Sequence, residues 1–197
     1  MKALWFGGSF NPVHCGHLIC ARAVAECAGY DRVYLVPSAQ APHKQGHTDV
    51  ASSDDRVTML KLAIADEPLF SLDLRELKRL GPSYTIDTAR DIRRMYTGRI
   101  DWLVGADMAI NLPHWHEAAA LLSEVHFVLM ARPGWEFDHA QMPREYSVLA
   151  DRAVTTPQLD ISSTQIRRRI AAGLSVRFLM PDAVVKYIDE RGLYRNA

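Results

Sequence analysis

The chain has 197 residues, enough for one domain with an ordinary core, and it is 48% apolar against 23% charged, the balance of a folded globular protein. Its 23 lysines and arginines equal its 23 aspartates and glutamates, which argues against a broad nucleic-acid-binding face. No stretch approaches the ~20 apolar residues of a membrane span, and the apolar start meets Gly7-Gly8 too soon for a signal peptide.

In chain order, residues 2–6, 32–36, 101–104 and 125–130 read as short buried strands, with 153–155 a weaker fifth. Between the first two, Leu18, Ala21, Ala25 and Ala28 recur at helical spacing, a stretch that also carries Cys15, Cys20 and Cys27. Three cysteines within thirteen positions fit no disulfide framework, so they read as reduced thiols of a cytoplasmic protein. Val57, Leu60 and Ile64 repeat the helical spacing behind a Ser52/Ser53 cap, and Ile86, Ala89 and Arg93 do so after Pro82-Ser83. Helices are predicted over 162–172, stopped by Gly173, and over 181–191, stopped by Gly192. Alternating strands and helices predict a doubly wound, Rossmann-like α/β fold: a mostly parallel sheet of five or six strands with helices on both faces. A small helical segment over about 160–197 completes one domain spanning 1–197. In such sheets ligands bind beyond the carboxyl ends of the strands, where the strand order reverses.

Two strings carry chemistry. Gly7-Gly8-Ser9-Phe10-Asn11-Pro12-Val13-His14-Cys15-Gly16-His17 leaves the first strand through glycines, as where a backbone must come close to something, and opens a helix with two histidines on one face. A helix start offers unpaired N–H groups and a partial positive charge to phosphate, and imidazoles add donors. His14, Cys15 and His17 could each bind zinc, but no second ligand cluster accompanies them. The second string is Ile161-Ser162-Ser163-Thr164-Gln165-Ile166-Arg167-Arg168-Arg169. Ser162 with Gln165 reads as a capping box; hydroxyls followed by Arg167 read equally as a polyphosphate clamp. Three arginines near the positive end of a helix dipole are unfavourable unless an anion offsets them. Trp115, flanked by His114 and His116, could stack on a flat heterocycle or anchor a surface helix to the core.

Together the two strings resemble the nucleotidylyltransferase superfamily, whose H-x-G-H signature is matched by His14-Cys15-Gly16-His17 and whose second signature is matched by Ile161 to Arg167. Glu76-Leu77-Lys78-Arg79, Pro82-Ser83-Tyr84-Thr85, Gly105-Ala106-Asp107 with Trp115, Arg132-Pro133-Gly134 and Gly192-Leu193-Tyr194-Arg195 are similar to the bacterial nicotinate-mononucleotide adenylyltransferase family. The chain departs from that pattern at Cys15, where an aromatic is common, and at Ser38, Ala39 and Ala41 in the loop after the second strand.

The resemblance implies adenylyl transfer from ATP to nicotinate mononucleotide, giving deamido-NAD and pyrophosphate. It implies His14, His17 and Arg167 as catalytic residues. ATP would be held by Gly7, Gly8, Ser9, Phe10, His14, His17, Gly105, Asp107, Ile161, Ser162, Ser163 and Arg167. His43, Lys44, Tyr84, Thr85, Trp115 and Arg132 would hold the acceptor. Mg²⁺ would arrive with ATP, with no dedicated protein cage; no nucleic acid or membrane partner is expected, and a homo-oligomer stays open. Two other readings remain at this point: a sibling transferase acting on nicotinamide mononucleotide or phosphopantetheine, and a non-catalytic nucleotide-binding regulator.

Overall fold

The computed structural model describes residues 1–40, 51–136 and 143–195. Six strands form one sheet: β1 (Ala3–Gly8), β2 (Arg32–Pro37), β3 (Phe70–Leu72), β4 (Asp101–Gly105), β5 (His126–Ala131) and β6 (Ala153–Thr155). Their order is β3-β2-β1-β4-β5-β6 and every neighbouring pair is parallel. The chain therefore runs outward from β1 to β3, then crosses back to place β4 on the other side of β1. The strand order reverses between β1 and β4, and the cleft beyond their carboxyl ends is the expected ligand position.

Seven helices flank the sheet among the described residues: α1 (Cys15–Ala28), α2 (Ser53–Ala63), α3 (Thr85–Arg93), α4 (Ala106–Ala109), α5 (Ala118–Glu124), α6 (Ser163–Ala171) and α7 (Asp182–Arg191). Local chemistry sets their ends. Ser52, not Ser53, caps α2 by accepting the Asp55 N–H at 3.0 Å. Gly29 and Gly192 close α1 and α7 in the left-handed region, at φ of 67° and 62°.

Strand side chains alternate between two cores, as the pleat requires. Leu4, Phe6, Leu35 and Leu103 face one core with Ala21 and Val24 of α1, Met59 and Leu60 of α2, and Val184 and Ile188 of α7. Ala3, Trp5, Trp102 and Val104 face the other with Ile86, Ala89 and Ile92 of α3 and Leu121 of α5. The sixth strand, β3, has three residues at the sheet edge and too few alternations to stand out in the sequence.

Candidate active site

The first string forms a corner stitched from several elements. Gly7 and Gly8 are both crowded by the protein itself. A Cβ at Gly7 would lie 2.7 Å from Trp102 Cζ2, and one at Gly8 would lie 3.1 Å from the Phe10 ring. Part of the close approach at these glycines is thus a packing contact, and both also line the larger cavity. Phe10 itself is buried at a φ of 45°, its ring edge-on to His17, so only its backbone is available to a ligand.

The exit loop is clasped through its polar backbone. Arg56, itself buried, donates to the Ser9 carbonyl at 2.8 Å. Asn11 Oδ1 accepts the Ala51 N–H at 3.0 Å and the Tyr194 hydroxyl at 2.7 Å. From α6, Ser163 Oγ donates to the Pro12 carbonyl at 2.8 Å and Arg167 Nη1 to the Asn11 carbonyl at 2.9 Å. These two bonds bring the second string against the first across more than 150 residues. At Gly16 a Cβ would sit 3.0 Å from His14 Nδ1 and 3.5 Å from the Ile161 carbonyl, so a side chain there would press on the His14 ring where the two strings meet.

His14 is the N-cap of α1, and its ring stacks on that of His17 at 3.7 Å between centroids. Burial pushes the His14 pKa down to about 4, so it is neutral near neutral pH. The His14 N–H donates to His17 Nδ1 at 3.3 Å. With Nδ1 accepting, the neutral His17 ring carries its proton on Nε2, which makes that atom a donor. The start of α1 is partly satisfied by the protein, because the Cys15 N–H donates to the Leu179 carbonyl at 2.9 Å. The dipole argument for α6 also changes. Arg168 and Arg169 lie in its last turn, the negative end, so they favour the helix without an anion. Ser162 does cap α6, accepting the Gln165 N–H at 3.2 Å.

Two adjoining cavities open at the strand-order reversal. The larger, about 690 Å³, is lined by Gly7, Gly8 and Ser9 on one side and by Ser83, Thr85 and Gly105 on the other. The smaller, about 280 Å³, is lined by Ser83, Tyr84, Thr85, His114, Trp115 and His116, together with Leu121. Thr85 is the first residue of α3 and Tyr84 its N-cap, which turns the start of that helix toward the smaller cavity. Trp115 lines each cavity, and its ring sits edge-on to Phe127.

Of the sequence-predicted residues, Gly7, Gly8, Ser9, Gly105, Tyr84, Thr85 and Trp115 line the cavities. His14, His17, Ile161, Ser162, Ser163 and Arg167 gather at the neighbouring corner around Asn11 and Pro12. Asp107 and Arg132 line neither cavity; they pair with each other at 3.2 Å, both about two-thirds exposed. His43 and Lys44 lie outside the described residues. The sequence reading assigned no role to Arg56, to Glu76, a buried carboxyl in the wall of the larger cavity, or to His116, stacked on Tyr84 at 4.1 Å. The histidines flanking Trp115 were the available signal for His116.

Among the described residues no cluster of three or more His, Cys, Asp or Glu is arranged to hold a metal. No described helix is long and apolar enough to cross a membrane.

Residues 5–169 match the family model for cytidylyltransferase-like proteins. The nicotinate-nucleotide adenylyltransferase of Bacillus subtilis is 41% identical over 193 residues, covering 97% of each chain. The Plasmodium falciparum nicotinic acid mononucleotide adenylyltransferase, solved in complex with NaAD, superposes with a TM-score of 0.79 over 100% of this chain and 99% of that one, at 16% identity. The same Plasmodium protein in complex with APC gives a TM-score of 0.73 over 100% and 98%, also at 16% identity. These two structures share the fold of this chain.

Proposed function

Because the chain belongs to the cytidylyltransferase-like nucleotidyltransferases and, within them, to the nicotinate-nucleotide adenylyltransferase family, we propose that it transfers the adenylyl group of ATP to nicotinate mononucleotide, the step of NAD biosynthesis that forms deamido-NAD. The observation that carries this reading is the pairing of two unlike compartments at the β1–β4 reversal. One is a corner of imidazoles, hydroxyls and arginine suited to a polyphosphate. The other is a small aromatic-walled cavity with hydroxyl and imidazole donors and no carboxylate among its lining residues.

The nucleophile is the acceptor's 5′-phosphate, already largely ionised near neutral pH because its second pKa is about 6. One of its oxygens attacks the α-phosphorus of ATP in line. The bond from that phosphorus to the bridging oxygen breaks, and pyrophosphate leaves with the electron pair. No proton need be removed from the nucleophile and no covalent enzyme intermediate forms, so catalysis rests on positioning and on stabilising moving charge. His17, with Nε2 as donor, meets the charge that grows at the α-phosphate. His14, neutral and stacked beneath it, keeps that ring in place. Ser162, Ser163 and Arg167 hold the departing phosphates. Gly7, Gly8, Ser9 and the backbone of Phe10 let ATP and the acceptor phosphate come close. Gly105 lines the nucleotide side of the cleft, and the exposed Asp107–Arg132 pair stays outside both cavities.

Mg²⁺ would neutralise phosphate charge. The donor set fits a metal carried on ATP, because Glu76 is engaged with Thr88, Asp107 is paired with Arg132, and phosphate oxygens with water remain as ligands. In the smaller cavity Trp115 stacks on the pyridine ring. Tyr84, Thr85 and the N–H groups opening α3 face its carboxylate, which only accepts hydrogen bonds and favours a positive dipole end. A nicotinamide group, which also donates, leaves part of that site unpaired.

Pyrophosphate release from ATP, followed with nicotinate mononucleotide, nicotinamide mononucleotide and phosphopantetheine as acceptors, tests the assignment. The expected outcome is the highest kcat/KM for the nicotinate compound. Equal or better turnover of the amide overturns the acceptor assignment while keeping adenylyl transfer, and turnover of phosphopantetheine alone overturns the pyridine pocket.

A further inference from the structure

We propose that Arg90 and Glu117 are positioning residues of the acceptor cavity: their bidentate ion pair ties α3, which opens with Thr85 at one wall, to the segment that carries Trp115 and His116 at the other; the functional part of this proposal rests on the acceptor reading above. The smaller cavity lies between two pieces of the molecule. Ser83, Tyr84 and Thr85 line one side, and His114, Trp115, His116 and Leu121 line the other. The Tyr84 and His116 rings join the two sides, stacked at 4.1 Å between centroids with their planes 24° apart. A ring stack tolerates sliding of one plane over the other, so it sets the register of the two pieces less firmly than directional bonds do.

Arg90, five residues past Thr85 on α3, supplies those bonds. Its Nη1 and Nη2 donate to Glu117 Oε1 and Oε2 at 3.0 and 2.7 Å, the two-pronged pattern of a planar guanidinium on a carboxylate. Its Nε donates to Glu124 Oε1 at 3.3 Å. One side chain of α3 thus holds the residue before α5 and the last residue of α5. Glu117 directly follows His116, and its Oε1 lies 3.6 Å from His116 Nε2. The backbone of Glu117 sits at φ 49° and ψ 44°, a left-handed conformation that glycine takes at less cost. It is the N-cap of α5, where a short polar side chain would accept a helix N–H, yet its carboxylate caps none. Both oxygens are spent on Arg90 instead. Burial does not account for the pair, because the Arg90 and Glu117 side chains are 40% and 41% exposed. An exposed pair adds little to overall stability, so its effect is to be read in the geometry of the cavity. Hydrogen bonding from Arg90 holds the Glu117 carboxyl below its ordinary pKa, and the pair stays ionised near neutral pH.

Arg90→Gln and Glu117→Gln each raise the KM for nicotinate mononucleotide about fivefold, with kcat and the KM for ATP moving less than about twofold. The double variant is no worse than either single one, because both changes remove one tie. Glu117→Gly suits the backbone but removes the carboxylate, and it raises the acceptor KM as much as Glu117→Gln. Arg94→Gln, which breaks the exposed Arg94–Asp91 pair on the same side of the chain as α3 ends, leaves the acceptor KM unchanged. A plain charge effect on the anionic acceptor would move the two single variants in opposite directions, since one leaves a lone carboxylate and the other a lone guanidinium. The Trp115 and Leu121 amides donate to the Leu112 and Glu117 carbonyls at 3.0 and 2.9 Å. Their hydrogen exchange, measured with no acceptor present, quickens about fivefold in Arg90→Gln. Opposite shifts in the single variants, additive shifts in the double, a neutral Glu117→Gly, a matching rise in Arg94→Gln, or unchanged exchange would each overturn the proposal. Should the native protein turn over no pyridine mononucleotide, the acceptor reading falls, and the exchange measurement still decides whether Arg90 and Glu117 hold this segment.

Discussion

The corner proposed for phosphate and the one proposed for pyridine are built by opposite means. The first centres on one contiguous stretch, residues 7–17, whose carbonyls and side chains are held by Arg56, Tyr194 and the Ser163 and Arg167 of the second string. The second is assembled from the turn before α3 and the segment after α4, with the carboxyl of Glu76 behind it. Phosphate is recognised by backbone N–H groups and a fixed charge pattern, which demand a particular chain path and hence a particular short string. A pyridine ring is recognised by whatever flat faces and donors converge on it, and many sequences can supply those. The phosphate side should therefore govern rate, and the pyridine side affinity and choice.

His17→Ala is the strongest test of that division. The loss should fall on kcat, by about 10²–10³, with the KM for ATP little changed, since a donor facing growing charge acts mainly in the transition state. A variant that keeps most of its kcat would erase the distinction between the corners.

Acid stability sharpens it next. A histidine whose pKa falls to about 4 on folding stays neutral while the unfolded chain takes up a proton below 6.5. Folding therefore loses stability as pH drops through that window, and the full neutral-state contribution is present above it. Between pH 7 and about pH 4.5 the native protein should lose about 2 kcal/mol more than His14→Asn, read by denaturant titration at each pH.

Arg167→Lys comes third. Lysine keeps the charge but not the planar fork, and Arg167 already spends one N–H on the Asn11 carbonyl. ATP affinity by calorimetry should fall about tenfold, with the fold retained. The smallest effect belongs to the other corner. Trp115→Phe should raise the acceptor KM about threefold through weaker stacking and leave the nicotinate-to-nicotinamide ratio unmoved. A changed ratio would mean that the indole itself reads the substituent.

The same contrast decided what could be read from the sequence. Strands β1, β2, β4 and β5 were legible because each is an apolar run, and β6 only weakly; β3, like β6 three residues at a sheet edge, is broken by Ser71 between Phe70 and Leu72, and α5 follows a turn at Glu117 in the left-handed region. His14, His17, Ser162 and Arg167 were legible as members of two strings. Glu76 stood in a string quoted for the resemblance, but no role followed from it, because the Thr88 hydroxyl it accepts lies on α3, twelve residues later. Arg132 and Asp107 were assigned to different pockets; their mutual ion pair depends on the approach of α4, beyond β4, and the segment beyond β5. The reason for Gly7 was also inaccessible, since the indole of Trp102 that forbids a Cβ comes from the neighbouring strand.

The bond between Tyr194 and Asn11 joins residues 183 positions apart. A ribosome adding ~5–20 residues per second needs about ten to forty seconds to cover that interval. For that time the nascent phosphate loop exists without one of its clasps, and Asn11 must exchange water for the tyrosine hydroxyl only after the rest of the sheet has been made. Catalytic competence should thus arrive late in synthesis, after most of the fold.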